Sequence, residues 1–338
     1  MIAMIFLLSC AALLLAYRFF GSYLSRQFEI DDSRPTPAHT MHDGLDYVAT
    51  PTAVLFGHHF SSIAGAGPIV GPILAASLFG WGPTLAWILI GSILIGGVHD
   101  YSALVMSLRH RGRSIAEICR LYLSPLTYRC LLVFIWLALV YVLIVFLDMT
   151  AASFTTVSAD HPSDGGTVAG ASVLYILLAV VFGVALRRGW LTLRTGSLIF
   201  VPLVFFSLAL ASWFPISPEL LPQLIHDNPK YTWSLVLIVY CFVASVAPVW
   251  LLLQPRDYLS SYLLFACLVF GGLGMLLGSL GGGVPLQYPA FKGLVAGNGD
   301  MMFPVLFITV ACGAVSGFHC IVASGTTARQ CPTERAAK

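Results

Sequence analysis

The sequence predicts an all-α, polytopic membrane protein of about nine transmembrane helices, at least one of them discontinuous. Three observations lead there: the composition, the lengths of the apolar runs, and the way basic residues divide between alternate connections. Of 338 residues, 58% are hydrophobic and only 9% are charged, against about 25% charged in soluble proteins. A water-soluble globule of this size cannot cover its surface with so few charges. The net charge is +2, and the Lys and Arg residues are scattered rather than gathered on one face, which argues against a nucleic-acid partner. The eight cysteines sit mostly inside apolar runs, without CxxC or Cys/His ligand spacing. They read as reduced packing residues, with no metal site and no cofactor motif.

A bilayer core takes about 20 apolar residues per helix. Nine segments meet that length, at approximately 2–20, 52–78, 84–107, 130–150, 169–186, 196–214, 232–252, 259–281 and 303–323. The first has no basic residue ahead of it and carries Arg18 behind it, so it reads as a span rather than a secretion signal. With this division, every Lys and Arg except Lys230 and Lys292 falls on one face. The positive-inside rule makes that face cytoplasmic. The expectation is a multi-pass protein of the inner or plasma membrane, surrounded by lipid, with the N-terminus outside and the C-terminus inside.

The connections are short. Residues 21–51 form the longest, residues 108–129 a basic loop suited to anionic headgroups, and His161, Pro162, Asp164 and Gly165 a solvated turn. Residues 1–330 read as one transmembrane domain and 331–338 as a short cytoplasmic tail.

Proline and glycine deep within a span carry more information than the charges. In the second segment, Ala64, Gly65, Gly67, Pro68, Ile69 and Gly71 lie near the bilayer midplane. Neither Pro68 nor the following Pro72 can donate a backbone hydrogen bond, so the helix should break there. Backbone freed in hydrocarbon persists only where protein, water or a ligand satisfies it. Secondary transporters build midplane substrate sites this way, with amide ends offered to anions and carbonyl ends to cations. Another reading makes Gly67 and Gly71 a small-residue packing seam. In the seventh segment Pro248 frees the carbonyl of Ala244, suggesting a second break. Segments two and seven run in opposite senses, as the first helices of two inverted five-helix repeats would. Ala244 and Pro248 join the substrate-binding candidates.

Ionisable residues inside spans are functional candidates by default. His58, His59, His99, Asp100 and His319 all fall toward the cytoplasmic third, where a histidine or Asp100 suits a coupling proton. Headgroup anchoring or helix capping is the alternative role for the same residues.

At this point the residues resemble a family. The run from Phe56 to Pro72, then Val98-His99-Asp100-Tyr101, Arg111-Gly112-Arg113-Ser114, Trp250 through Gln254-Pro255-Arg256-Asp257-Tyr258, Ala311 through His319, and Ser324-Gly325-Thr326-Thr327 are similar, in order, to the carbon starvation protein A family. The likeness covers about residues 45–330. It implies an inner-membrane carrier with small peptides or pyruvate as substrate and protons as coupling ion, acting in nutrient starvation. It also implies the five-plus-five inverted-repeat fold of the amino acid/polyamine/organocation superfamily. Arg256 and Asp257, within a shared string, join the coupling and gating candidates.

The family continues well beyond the Ser-Gly-Thr-Thr string, whereas this sequence stops within eleven residues of Thr327. The expectation is a partial repeat, completed by a partner, by a homo-oligomer, or not at all. The alternatives to a carrier are therefore a truncated or non-transporting membrane subunit and, more distantly, an intramembrane hydrolase. Ser316 and His319 stand one turn apart, but no third orienting group accompanies them.

Overall fold

The structure is a computed structural model. It describes residues 1–44, 46–157, 163–216, 228–248, 251–281 and 285–338, excluding the side chains of Ala66 and Leu280. The described residues are helical apart from loops and one isolated β-bridge between Val295 and Met301.

In chain order, the helices are α1 (Ile2–Gln27), α2 (Thr52–Ile63), α3 (Ala66–Phe79), α4 (Trp81–Arg109), α5 (Ile115–Tyr122), α6 (Pro125–Thr155), α7 (Asp164–Arg187), α8 (Leu193–Ala211), α9 (Pro229–Val246), α10 (Leu253–Leu280) and α11 (Met302–Ala314). The last, α12, runs from Gly317–Val322 through a π-helical turn at Ala323–Thr327 to Ala328–Gln330. A single helical turn at Pro37–Thr40 lies between α1 and α2. Among the described residues, eight helical runs are long and apolar enough to cross a membrane, and α2 with α3, bent by 49°, makes a ninth. The protein is a multi-pass membrane protein.

Local chemistry sets several helix starts. Ser114 and Glu117 close a capping box at α5, and Thr192 with Thr195 closes one at α8. Each satisfies amide groups that a helix leaves free at its N-terminus. Asn228 caps α9, with Pro229 in the first position, where its missing amide costs nothing.

Contacts divide the chain into two units, Met1–Tyr128 with Leu264–Lys338, and Arg129–Leu263. In the second unit α7 and α8 pack closely: a Cβ on Gly196 would lie 2.6 Å from the Phe182 ring. Phe182, Ala179, Phe200, Val204 and Leu259 form the core there. Asp148 pairs with Lys230 at 2.7 Å and is 61% exposed.

Three sequence readings change. Asp164 and Gly165 open α7 rather than forming a turn, while His161 and Pro162 lie outside the described residues. The second-span break comes at Ala64–Gly65, upstream of the prolines. Pro68 then falls in the first turn of α3, where no intrahelical amide is needed, and Pro72 stays inside the helix. The break expected at Pro248 is not one within a span. α9 ends at Val246, Ala247 is extended, and Pro248 begins the connection to α10. A proline two residues past a helix end terminates it, because the preceding residue is held away from helical geometry.

Candidate functional site

The first unit contains a second break, at a position the sequence reading passed over. Between α11 and α12, Val315 and Ser316 leave helical geometry (φ −144°, ψ 33° and φ −68°, ψ 124°). In the other broken span Ala64 and Gly65 do the same (φ −82°, ψ 51° and φ −79°, ψ −167°). α2 and α3 contain 12 and 14 residues, so at 1.5 Å per residue the break falls near the middle of the span.

The two broken spans pack side by side. A Cβ on Gly71 would lie 2.3 Å from the backbone oxygen of Thr309, and one on Gly313 would lie 2.9 Å from Cα of Pro68. Only glycine allows α3 and α11 to approach so closely. The seam reading of Gly71 is thus realised beside the break, not in place of it. Pro68 and Gly313 each stand within a helical turn of their own break, so the two interruptions are neighbours. On the far side of the breaks, Leu55 of α2 packs with Ala323 and Ala328, and His59 Nδ1 meets Thr327 Oγ1 at 2.7 Å. α4 completes the arrangement, because a Cβ on Gly96 would lie 2.2 Å from the backbone oxygen of Ala314.

This packing collects the ionisable residues. His99 Nδ1 is 2.7 Å from one oxygen of Asp100, and His319 Nδ1 is 3.4 Å from the other. His99 also lies beside the backbone of Val315, at the break. His319 is buried, at 8% exposure. The carboxylate is therefore flanked by two imidazoles, next to backbone interrupted in both spans. His59 stands alongside, and His58 is half-buried on the same helix.

A cavity of about 830 Å³ reaches this cluster, with His59, Asp100 and Thr327 on its wall. Its lining includes none of Ala64, Gly65, Gly67, Pro68, Ile69 or Gly71, and Ile69 is 53% exposed. Ser316 Oγ accepts from the Phe318 amide as a helix cap. With that serine capping a helix and His319 turned to Asp100, the pair is not arranged as nucleophile and base.

Arg256 and Asp257 belong to the second unit. Arg256 Nη2 and Nε lie 2.9 and 3.1 Å from Asp257 Oδ1, and Nη1 donates to Tyr240 Oη at 3.3 Å. Tyr175 Oη donates to the Arg256 carbonyl oxygen. Ala244 is buried in the last turn of α9. Sequence reasoning missed Thr327 as the partner of His59, and also Glu334, whose side chain is 4% exposed against Arg109 and Arg34. The α12 break had a signal: Gly313 and Gly317 flanking Ser316 match a helix end followed by a capped start.

The profile of the family described as "Carbon starvation protein CstA" matches residues 1–338. The chain is 39% identical over 331 residues to "Peptide transporter CstA" of Escherichia coli (strain K12), covering 95% of this chain and 44% of that protein. It is 36% identical over 327 residues to "Peptide transporter CstA" of Bacillus subtilis (strain 168), covering 94% and 51%. It is also 36% identical over 340 residues to "Pyruvate/proton symporter BtsT" of Escherichia coli (strain K12), covering 98% and 45%. The chain spans about half the length of these relatives. No solved structure is significantly similar to it.

Proposed function

The chain belongs to the carbon starvation protein CstA family, and on that premise we propose that it supplies the helices of a proton-coupled carrier. The cargo is small peptides or pyruvate-like carboxylates, taken up across the inner or plasma membrane in nutrient starvation. The observation that carries the reading is the cluster of His99, Asp100 and His319 beside two paired helix breaks.

The physical logic starts from Asp100. A carboxylate removed from water costs several kcal/mol unless it is paired. A proton taken up on His319 or His99 turns the neighbouring contact into an ion pair, and its loss leaves the carboxylate uncompensated. The protonated and deprotonated clusters therefore favour different packings of α2, α4 and α12 around it. The breaks supply the means, since half-helices can tilt about them while the Gly71–Thr309 seam holds α3 to α11. The solute sits at the freed backbone of Ala64–Gly65, beside the first turn of α3, and at its counterpart Val315–Ser316. Arg256 and Asp257 serve gating within the second unit. The distribution of basic residues supports an outside N-terminus and a cytoplasmic C-terminus.

Uptake of labelled pyruvate or dipeptide into proteoliposomes, with and without an inward proton gradient, tests the proposal. Accumulation that requires the gradient is the expected result. Accumulation indifferent to it removes the proton from the mechanism, and no uptake of either solute removes the carrier.

A further inference from the structure

Three helices of the first unit depart locally from α-helical pairing, at Ala16–Phe20 in α1, Gly91–Gly96 in α4 and Ala323–Thr327 in α12. A π-helical turn sacrifices regular hydrogen bonding, and such turns concentrate at functional sites. All three lie on the wall of the same cavity of about 830 Å³: Tyr17 and Phe20 come from the first, Ser92 and Ile93 from the second, Thr327 from the third. That volume is within the usual range of small-molecule sites, about 300–1,000 Å³. The residues of the two helix breaks are not on its wall. The chamber is a second place, joined to the breaks through Asp100.

The wall indicates what such a chamber would hold. Most of it is aliphatic and aromatic, which suits a solute with an apolar body. Besides Lys338, its polar side chains are the Asp100 carboxylate, the bonded pair of His59 and Thr327, and the hydroxyls of Tyr17, Thr52, Ser92 and Tyr101. Among the described residues on the wall, the only permanent cation is Lys338. Its ammonium donates to Ser22 Oγ at 2.9 Å and stands over the Tyr17 ring. Arg109 and Arg34, at the same end of α4, are engaged by Glu334. A carboxylate in the chamber therefore meets one cation, the Lys338 ammonium already engaged by Ser22 and the Tyr17 ring, and no guanidinium, whereas a protonated amine meets the Asp100 carboxylate. The geometry points to this chamber as a binding site for a solute bearing a protonated amine on an apolar body. The amine is held by Asp100 and the body lies against the three π-helical turns. For transport this rests on the carrier reading; for binding it does not.

The test is calorimetric titration of the chain in nanodiscs with leucyl-leucine, its N-acetyl derivative and pyruvate. The expected result is binding of leucyl-leucine at least tenfold tighter than of the N-acetyl form or pyruvate. Ser92→Phe, which fills the chamber from the α4 turn, should lower that affinity at least tenfold. No binding of leucyl-leucine, equal binding of the two peptides, or an unchanged affinity in a folded Ser92→Phe protein overturns the assignment. The comparison of probes on the unaltered chain decides the matter even where the variant fails to fold. If leucyl-leucine binds with amine preference but neither it nor pyruvate is taken up in proteoliposomes, the carrier reading falls and the chamber stands. If it is taken up without amine preference in binding, the chamber falls and the carrier reading stands.

Discussion

Replacing Gly71 with alanine places a methyl group where two helix backbones already touch. The new Cβ would lie 2.3 Å from the carbonyl oxygen of Thr309, and ordinary contact begins at about 3.4 Å, so α3 and α11 must part by about 1 Å. Overpacking of this kind costs about 1–3 kcal/mol. The upper end applies here, because the opposing atom is backbone and no rotamer relieves it. Against this stands the gain from removing a glycine inside a helix, about 1 kcal/mol. The net expectation is a loss of about 1–2 kcal/mol. Gly274→Ala supplies the control, since Gly274 lies inside α10 and its Cβ would meet nothing within 4 Å. That variant keeps the helical gain without the clash, so the two should differ by about 2–3 kcal/mol in reversible unfolding in mixed micelles. Thr309→Ala should not rescue Gly71→Ala, because the group in the way is main chain. Equal stability of the two glycine variants, or rescue by Thr309→Ala, would refute the side-by-side packing of the broken spans.

Two further expectations concern the segment after α12. Glu334 is held by Arg109 at 3.2 Å, by Arg34 at 3.5 Å and by the Asp31 amide at 3.0 Å. Arg109→Ala removes the closer of two arginines from a carboxylate that is 4% exposed and should cost about 3 kcal/mol. Glu334→Gln leaves arginines that reach water and should cost about 1 kcal/mol; unfolding curves giving the reverse order would contradict this account of the contact. Burial pushes the Cys331 thiol up to about 11, so the reactive thiolate is scarce at neutral pH. Maleimide should leave Cys331 unmodified at pH 7.5 in the folded protein and label it after unfolding. Fast labelling of the folded chain, located by mass spectrometry, would show the segment lifted from its place.

Much of this architecture was legible in the sequence because hydrocarbon imposes simple rules. Apolar length marked the spans, and the glycine-proline string from Gly65 to Pro72 marked the first break to within a few residues. Its position at Ala64–Gly65 was not legible, because a proline is tolerated in the first turn of a helix and therefore marks a start as readily as an interruption. Pro248 misled for a related reason, since the residue that would break a helix can equally end one. The break at Val315–Ser316 involves no proline and left only a capping serine between glycines. Asp100 and its histidines were visible as ionisable residues in apolar runs. Their convergence depends on contacts between α4 and α12, more than 200 residues apart. Nor does any local pattern announce Glu334 or the pairing of His59 with Thr327, because both depend on distant segments meeting.

Whether Asp100 links solute movement to protons is the measurement on which the account turns. In proteoliposomes, Asp100→Asn should still exchange labelled solute down its own gradient, without internal acidification and without accumulation against the gradient. If the asparagine variant concentrates solute in response to an imposed proton gradient as the unaltered chain does, the carboxylate at the paired breaks is not the coupling group.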